Sequence, residues 1–426
     1  MTFPRNSLRA FLQFAKNNLA QARRGQTKVN IVIGNESADL DSLTSSLLYA
    51  YIRSSAPPSN AFSPKYVPLL NITTSGLRLR PEFSAVCDHV DVSLSSLITL
   101  DDFPTQTNSL EDIRVILVDH NKLQGEIGKN YASSVDGVID HHEDENAVPL
   151  ETDPEPRIIE KCGSCTSLVV RYLTPIWDNI SNSALSSGAA HGKDEVAISD
   201  SSVTQGWDAQ VAKMALASIL VDTANLTAPG KVEKVDREAV EYLESKIQMS
   251  PKHAKSWNRN RYYEELEGAK RDLDSLTVDE ILVKDYKQWT ENGIHLRISS
   301  VMKPLKYLVQ NANTGNDNFD KVLSNFMTTR NLSIYAIMTV STSSDSEFQR
   351  QLLVQAREDG FQAVTRFVTQ ATSTLELEEI EVEGVHVQSD PTSYQEWRRV
   401  WLQKDISKSR KQVAPLLREC MRAIAS

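Results

Sequence analysis

The sequence predicts an α/β protein: a mostly parallel sheet covered by helices on both faces, followed by a second, smaller α/β domain with a mixed sheet. Three short apolar runs, at 29–33, 114–118 and 135–139, each stop at a glycine or an acidic residue. Segments with helical spacing of apolar residues, such as 42–52, lie between these runs. Strands that alternate with helices form parallel sheets, so the N-terminal part should have this architecture.

The remaining elements follow in chain order. Residues 181–205 are rich in Ser, Ala and Gly and lack periodicity, which predicts a flexible insertion between helices. The next helix stops near Pro251, where we expect a linker. Beyond it the pattern predicts a charged helix, two apolar strands, a further helix and a basic C-terminal helix. We therefore expect a first domain at 1–250 and a second domain at 260–426.

The composition excludes several classes of protein. Of 426 residues, 40% are apolar and 24% are charged, and the formal net charge is −10, so bulk positive charge cannot hold nucleic acid or acidic membranes. No run of about 18 apolar residues is present to span a membrane. The four cysteines are too few for a disulfide framework, and Cys162 and Cys165 lack the second ligand pair of a zinc site.

The segment before Glu36 bears on location. It carries basic residues but no acidic one, a composition typical of a surface helix and also of a mitochondrial presequence. Because it runs directly into the first predicted strand, we interpret it as a surface helix. We expect a cytoplasmic monomer that binds neither nucleic acid nor membranes, with a mitochondrial pool as the alternative.

Acidic residues cluster just after the predicted strands. Asp39 and Asp41 follow the first strand, Asp119 follows the second, and Asp140 follows the third. Ligands of parallel sheets bind beyond the carboxyl ends of the strands, which predicts that these side chains meet. A cap at the start of the following helix is the alternative for Asp41 or Ser42.

The donors in these motifs favour hard divalent cations. The strand-end carboxylates, together with Asp222, the amide oxygen of Asn35 and the imidazole of His141, suit Mg²⁺, Mn²⁺ or Co²⁺. The adjacent His142 would then face the substrate, while Asp140 orients the histidines. Such a set can hold two ions, which together stabilise the attacking and leaving oxygens of a phosphoryl transfer.

These motifs recur in a fixed order: Asn35-x3-Asp39-x-Asp41-Ser42, Val118-Asp119, Asp140-His141-His142 and Val221-Asp222-Thr223. The series resembles the DHH phosphoesterase superfamily and, within it, the fungal cytosolic exopolyphosphatases. The likeness continues through 155–158, 163–167, 284–287 and 410–415, so it covers nearly the whole chain. It implies a DHHA2-type second domain and an active site in the cleft between the two domains.

The resemblance also implies a role for each residue. The ligands of the two ions would be Asn35, Asp39, Asp41, Asp119, His141 and Asp222, with Asp119 bridging. His142 would contact the scissile phosphate or the leaving group. Asn35 departs from the family II pyrophosphatases, which have a histidine ligand there. An amide oxygen is a weaker and harder donor than imidazole, which favours Mg²⁺ and weakens the first site.

The second domain should supply cations to the substrate. Lys404, Lys408 and Lys411 recur at helical spacing, which predicts a helix with one basic face. By resemblance, Arg410 and Lys411 bind substrate phosphates and neutralise the charge that develops in the reaction. A basic face that is only solvated is the alternative.

Four further cations are candidates for the substrate channel. Lys287 matches a substrate-contacting lysine of the family, and Lys303, Arg78 and Arg80 are weaker candidates. Each of the last three has an ordinary surface charge as its alternative.

Together these observations predict an exopolyphosphatase, which uses two divalent ions to hydrolyse the terminal phosphate of inorganic polyphosphate and releases orthophosphate. Three alternatives are a family II-like inorganic pyrophosphatase, an oligonucleotide phosphodiesterase and a non-catalytic scaffold. Asn35 argues against the first, the absence of a Gly-Gly-Gly-His segment against the second, and the intact motifs against the third.

Overall fold

The chain divides into two units, residues 1–270 and 271–426, in this computed structural model. The structure describes residues 3, 5–103, 110–189, 195–274, 276–314, 318–342, 347–388 and 396–424. The first unit carries a parallel sheet and the second unit a mixed one.

Five parallel strands form the centre of the first unit. They are β1 (Val29–Ile33), β2 (Tyr66–Leu69), β3 (Ile113–Val118), β4 (Val135–Asp140) and β5 (Arg157–Ile159). Their order in the sheet is β2-β1-β3-β4-β5, and every neighbouring pair is parallel. All five residues of β1 are buried, so both faces of the sheet are covered. The predicted fold class of the N-terminal part is confirmed.

Nine α-helices of the described residues precede, separate and follow these strands. In chain order they are α1 (Leu8–Ala22), α2 (Leu40–Ser55), α3 (Pro81–His89), α4 (Gly125–Tyr131), α5 (Cys165–Ala189), α6 (Glu195–Asp222), α7 (Lys234–Gln248), α8 (Pro251–Ala254) and α9 (Arg259–Arg271). We expected the second domain to begin near α9. However, its Tyr262 and Leu266 belong to the hydrophobic core of the first unit.

The stretch 181–205 is spanned by the end of α5 and the start of α6, and its residues 190–194 lie outside the described residues. Trp177 and Ser181 of α5 both donate hydrogen bonds to the buried carboxylate of Asp208 on α6, at 2.9 and 3.0 Å. Helical structure therefore extends further into this stretch than its Ser- and Gly-rich composition indicated.

A six-stranded mixed sheet forms the second unit. Its strands are β6 (Tyr286–Glu291), β7 (Ile294–Val301), β8 (Ile334–Thr342), β9 (Phe348–Arg357), β10 (Leu377–Glu379) and β11 (Glu396–Gln403). Their order is β10-β11-β9-β8-β7-β6, with β7 and β8 parallel and the other pairs antiparallel. The helices are α10 (Val278–Lys284), α11 (Leu305–Thr314), α12 (Phe319–Thr329), α13 (Phe361–Thr374) and α14 (Arg410–Arg422). A smaller α/β unit with a mixed sheet is thereby confirmed.

The basic C-terminal helix is shorter than predicted. α14 begins directly after Ser409, whose side chain forms a reciprocal capping box with Gln412. Lys404 and Lys408 precede this cap, and each lies near a carboxylate, at 2.9 and 3.9 Å. The prediction of one helical face that carries these lysines is therefore wrong, because the cap fixes where the helix starts.

The turn between β1 and α2 is tight. A Cβ atom on Gly34 would lie 2.3 Å from the Cβ of Ser42, so only glycine lets the helix start this close to the strand end. The carboxylate of Asp39 accepts a hydrogen bond from the backbone N–H of Ser42 at 3.1 Å and caps α2.

None of the described helices combines the length and the apolar character that crossing a membrane requires. The four cysteines are buried free thiols.

Candidate metal centre

Four potential ligands converge beyond the ends of β3 and β4. The ligand atoms of Asp119, Asp140, His141 and His142 all lie within 4.8 Å of one another. Asp119 directly follows β3, Asp140 is the last residue of β4, and His141 and His142 come directly after it. Because the two strands are parallel neighbours, the sheet brings motifs that are distant in sequence to one edge.

Asp119 occupies the middle of this cluster and is 2% exposed. Its φ of +61° is in the left-handed region, a conformation that non-glycine residues keep only where their surroundings fix them. Its Oδ2 accepts hydrogen bonds from Asn35 Nδ2 at 2.7 Å and Ser42 Oγ at 2.8 Å. Its Oδ1 lies 3.3 Å from His141 Nε2. Oδ2 is thus held by hydrogen bonds from Asn35 and Ser42, and Oδ1 faces the other potential ligands.

Asn35 presents its amide nitrogen, not its oxygen, to Asp119. The Oδ1 atom of Asn35 accepts from the backbone N–H and the hydroxyl of Ser37, at 2.9 and 2.5 Å. A backbone N–H can only donate, so this contact fixes which way the amide points. The geometry therefore favours Asn35 as a residue that positions Asp119, in contrast to the ligand role that we predicted for its oxygen.

Asp41 is held across the fold by the start of α5. Its Oδ1 accepts from Ser164 Oγ at 2.7 Å and from the backbone N–H and hydroxyl of Thr166 at 3.0 and 2.8 Å. Its Oδ2 accepts from the Cys165 N–H at 2.7 Å and lies 3.9 Å from His141 Nε2. Asp41 does cap a helix, but it caps α5 instead of the helix that carries it, and its Oδ2 also faces the cluster.

His141 offers one defined nitrogen to the cluster. Its Nδ1 lies 3.2 Å from the carbonyl oxygen of Cys162, which can only accept, so Nδ1 carries the proton. In the neutral imidazole the lone pair is then on Nε2, the atom nearest the carboxylates of Asp119 and Asp41. A hydrogen bond of this kind on the far nitrogen is what fixes a metal-binding imidazole in proteins.

His142 points elsewhere, although it is adjacent in sequence. Its Nδ1 lies 2.7 Å from Asp140 Oδ1, and its ring stands at 85° to that of His141. The side chain of His142 is 23% exposed, against 6% for His141. The structure therefore separates a buried imidazole that faces the carboxylates from a more accessible one that is backed by an aspartate.

Asp140 organises this pair of histidines. Its Oδ1 accepts from the backbone N–H groups of His141 and His142, at 2.7 and 3.2 Å, and its Oδ2 accepts from Asn121 Nδ2 at 2.6 Å. Burial alone would raise the pKa of Asp140, but the neighbouring histidines and these hydrogen bonds hold that pKa well below its usual range. Asp140 is thus a fixed negative charge behind His142.

Asp222, the last residue of α6, is the fourth acidic motif. Burial raises its pKa to about 7, and nearby Asp41 and Asp39 add to the rise, while the cations Lys231 and Lys270 oppose it. The carboxylates of Asp39, Asp41 and Asp222 therefore share one electrostatic environment. A cation among them would relieve their mutual repulsion.

Three residues of the supporting frame had no role in the sequence prediction. Ser164 and Thr166 orient Asp41, and the buried Asp236 accepts from the backbone N–H of Gly163 at 2.8 Å and the hydroxyl of Ser167 at 2.7 Å. A Cβ atom on Gly163 would lie 2.8 Å from Asp236 Oδ2. In the sequence, this segment is visible as the Gly- and Ser-rich stretch 163–167. We used that stretch as part of the family resemblance but did not predict which residues it would contact.

The donor set fits a hard divalent cation. The Nε2 atom of His141 lies 3.3 Å from a carboxylate oxygen of Asp119 and 3.9 Å from one of Asp41. With a neutral imidazole, this is an arrangement of lone pairs that a cation stabilises. The thiol of Cys165 is not part of this set, because burial and the nearby carboxylates raise its pKa well above the ordinary value. The chain thus carries a candidate divalent metal centre.

Arg80 has a different place from the channel role that we predicted. It is 4% exposed, its guanidinium donates to the backbone carbonyl of Ser37, and it lies 3.8 Å from Glu82. Arg80 therefore supports the turn that carries Asn35, whereas Arg78 is exposed.

The other predicted substrate residues lie in the second unit. The guanidinium of Arg410 is bound to Asp285 at 2.8 Å. Lys411 is exposed, Lys287 is half-buried on β6, and Lys303 Nζ lies 5.0 Å from the centre of an aromatic ring.

Two family models match the chain in the same order as the two units. The model described as "DHH family, N-terminal domain" matches residues 30–192, and the "DHHA2 domain" model matches residues 264–420. A Schizosaccharomyces pombe protein named "Putative exopolyphosphatase" is 32% identical over 93% of this chain and 92% of its own length. The chain belongs to the DHH family.

Other proteins are similar to this DHH-family chain. The Homo sapiens protein "Exopolyphosphatase PRUNE1" is 26% identical over 97% of this chain and 79% of its own length. The crystal structure of a "Methanococcus jannaschii putative family II inorganic pyrophosphatase" matches with a TM-score of 0.54 and 19% identity, over 92% of this chain and all of that one. This last match shows a shared fold. The family models and the S. pombe relative confirm the predicted family resemblance.

Proposed function

We propose that this DHH-family chain is an exopolyphosphatase, which hydrolyses the terminal phosphate of inorganic polyphosphate. The observation that carries the proposal is the buried cluster in which Asp119, Asp41 and His141 face one another while His142 is backed by Asp140. The names of the S. pombe and human relatives support polyphosphate as the substrate.

The residues that would hold two divalent ions are Asp39, Asp41, Asp119, His141 and Asp222. Bound Mg²⁺ or Mn²⁺, with Co²⁺ as a further choice, would supply Lewis-acid stabilisation and an activated water for attack on phosphorus. Asn35 would position Asp119 instead of binding metal, because its amide nitrogen faces that carboxylate.

His142 would act on the leaving group. The carboxylate of Asp140 stabilises the protonated imidazole, so the outer nitrogen of His142 can donate a proton or a hydrogen bond to the phosphate oxygen that departs. In the second unit, exposed Lys411 would bind phosphates of the polyphosphate chain, together with Arg410, Lys287 and Lys303. A monomeric state and a cytoplasmic location stay predictions.

Phosphate release by the purified full-length chain tests the proposal. Medium-length polyphosphate, pyrophosphate and a short oligonucleotide are compared with Mg²⁺ or Mn²⁺, and the products are sized on a gel. We expect steady release from polyphosphate that stops at pyrophosphate. Faster turnover of pyrophosphate or of the oligonucleotide would contradict the proposed substrate and leave the metal centre standing.

Two matched variants test the centre itself. Asp119→Ala should abolish turnover, because it removes the carboxylate on which the cluster is built. Asp88→Ala, at an exposed position on α3, controls for loss of one acidic side chain and should leave turnover unchanged. Near-normal activity of a folded Asp119→Ala protein would refute the metal centre.

A further inference from the structure

A cavity of about 640 Å³ lies in the first unit, away from the metal centre. Its walls come from the first turn of α1, the end of α3, α6 and α8, and they include Arg9, Trp207, Lys252 and His253. This volume lies within the range of small-molecule sites in proteins, about 300–1,000 Å³. The cavity is therefore large enough for a nucleotide-sized molecule.

A buried lysine stands behind one wall of the cavity. Lys213 on α6 is 7% exposed, and its Nζ lies 3.3 Å from Nδ1 of His253. Among the described residues Lys213 forms no ion pair, and burial and the nearby Lys252 lower its pKa. A buried cation without a carboxylate is costly, and an anion close by would offset that cost.

The contact between Lys213 and His253 determines what the cavity wall presents. An ammonium group can only donate, so Nδ1 of His253 accepts and the neutral imidazole carries its proton on Nε2. The Nε2–H group has no hydrogen-bond partner among the described residues. His253 lines the cavity, so this imidazole places a potential hydrogen-bond donor next to a buried cation.

The charges around the cavity are mostly positive. Arg9 and Lys252 are exposed, and the described contacts pair neither of them with a carboxylate. Asp91 is the acidic residue that lines the cavity and influences His253. Two cations on one cavity wall, in a chain with a net charge of −10, are a local feature that attracts anions.

We propose that this cavity binds a small phosphate-bearing anion of nucleotide size. Arg9, Lys252 and the Nε2–H group of His253 would hold the phosphates, and Trp207 offers an aromatic surface to the base. The site is separate from the metal centre: Gln210, which lines the cavity, and Asp222 are both on α6 and lie about 18 Å apart at a rise of about 1.5 Å per residue.

The test measures binding of ADP to the full-length protein by titration calorimetry in EDTA at low salt, with orthophosphate and adenosine as separate probes. The paired variant Arg9→Glu/Lys252→Glu is compared with Arg24→Glu/Lys255→Glu, which reverses two exposed cations outside the cavity wall. We expect ADP to bind the wild type and the control pair alike, and the cavity pair at least tenfold more weakly. His253→Ala should also weaken ADP binding.

Each other outcome has a defined meaning. Equal ADP affinity in the cavity pair and the control pair would overturn the inference, as would the absence of ADP binding to the wild type. Binding of orthophosphate but not ADP would refute a ligand of nucleotide size. Asp119→Ala should bind ADP normally, so the inference can fail or hold independently of the proposed exopolyphosphatase activity.

Discussion

The role of Asn35 can be tested by changing a single atom. Asn35→Asp replaces the Nδ2 donor, which lies 2.7 Å from Asp119 Oδ2, with a carboxylate oxygen. The other amide atom keeps its contacts with Ser37, because a carboxylate oxygen accepts from the same donors. The substitution therefore leaves the contacts with Ser37 intact, removes the 3.3 Å hydrogen bond from Nδ2 to the backbone carbonyl of Asp119, and places two carboxylates face to face.

The expected cost follows from two competing terms. Two unit charges 2.7 Å apart repel by about 6 kcal/mol at an effective dielectric constant of about 20. Keeping one Asp protonated at pH 7 costs only about 4 kcal/mol, because its ordinary pKa is about 3.9. Protonation is thus the cheaper solution, and we expect metal-free Asn35→Asp to be destabilised by about 4 kcal/mol at pH 7 relative to pH 4.

The sign of the pH dependence follows from linkage. When a carboxyl has a higher pKa in the folded than in the unfolded protein, the free energy of unfolding falls as the pH rises above the unfolded-state pKa. The fall is about 1.4 kcal/mol per pH unit until the pH reaches the folded-state pKa. Urea unfolding in EDTA between pH 4 and pH 7 measures this trend, with exposed Asn17→Asp as the control. Added Mg²⁺ should restore much of the loss, because a cation joins the two carboxylates. Equal stability of Asn35→Asp and the control at pH 7 in EDTA would refute the contact between Asn35 and Asp119.

Three further predictions concern the same function. Because burial raises the pKa of Asp222 to about 7, metal binding at pH 6 should release close to one proton, measured by calorimetry in buffers of different ionisation enthalpy. The same release from Asp222→Asn would contradict its ligand role. Thr166→Val removes the hydroxyl that donates a hydrogen bond to the candidate ligand Asp41 and should weaken metal binding about tenfold. Unchanged affinity would argue against a role of Thr166 in orienting Asp41. Neutralising Arg410 and Lys411 together should raise KM for long polyphosphate and lower kcat, whereas Lys404→Gln should alter neither, and equal effects would mean that only overall charge matters.

The edge of the sheet could be predicted from the sequence, and the orientation of its side chains could not. Asp119 and Asp140 follow apolar runs, and parallel strands must bring their carboxyl ends together. That Asp41 caps α5 instead of its own helix depends on the packing of α2 against α5, which no local pattern encodes. The same limit applies to Asn35, whose amide orientation is set by Ser37 and Asp119 together.

The sequence does contain a signal for the true start of the C-terminal helix, but the prediction relied on the lysine spacing instead. Ser409-Arg-Lys-Gln412 is a capping box, which marks a helix start at Arg410. Lys404 and Lys408 therefore could not share a helical face with Lys411. Charge spacing is evidence of a common face only after the helix boundaries are known.

The hydrogen bonds around the cluster explain how one turn can give two adjacent histidines different orientations. Asp140 accepts from both backbone N–H groups, which fixes the turn, but only His142 also binds its carboxylate through Nδ1. His141 instead directs Nδ1 to the carbonyl oxygen of Cys162, so its Nε2 faces the carboxylates of Asp119 and Asp41. Both sets of contacts come from side chains and backbone groups of the first unit, so the packing of this unit orients the two imidazoles differently.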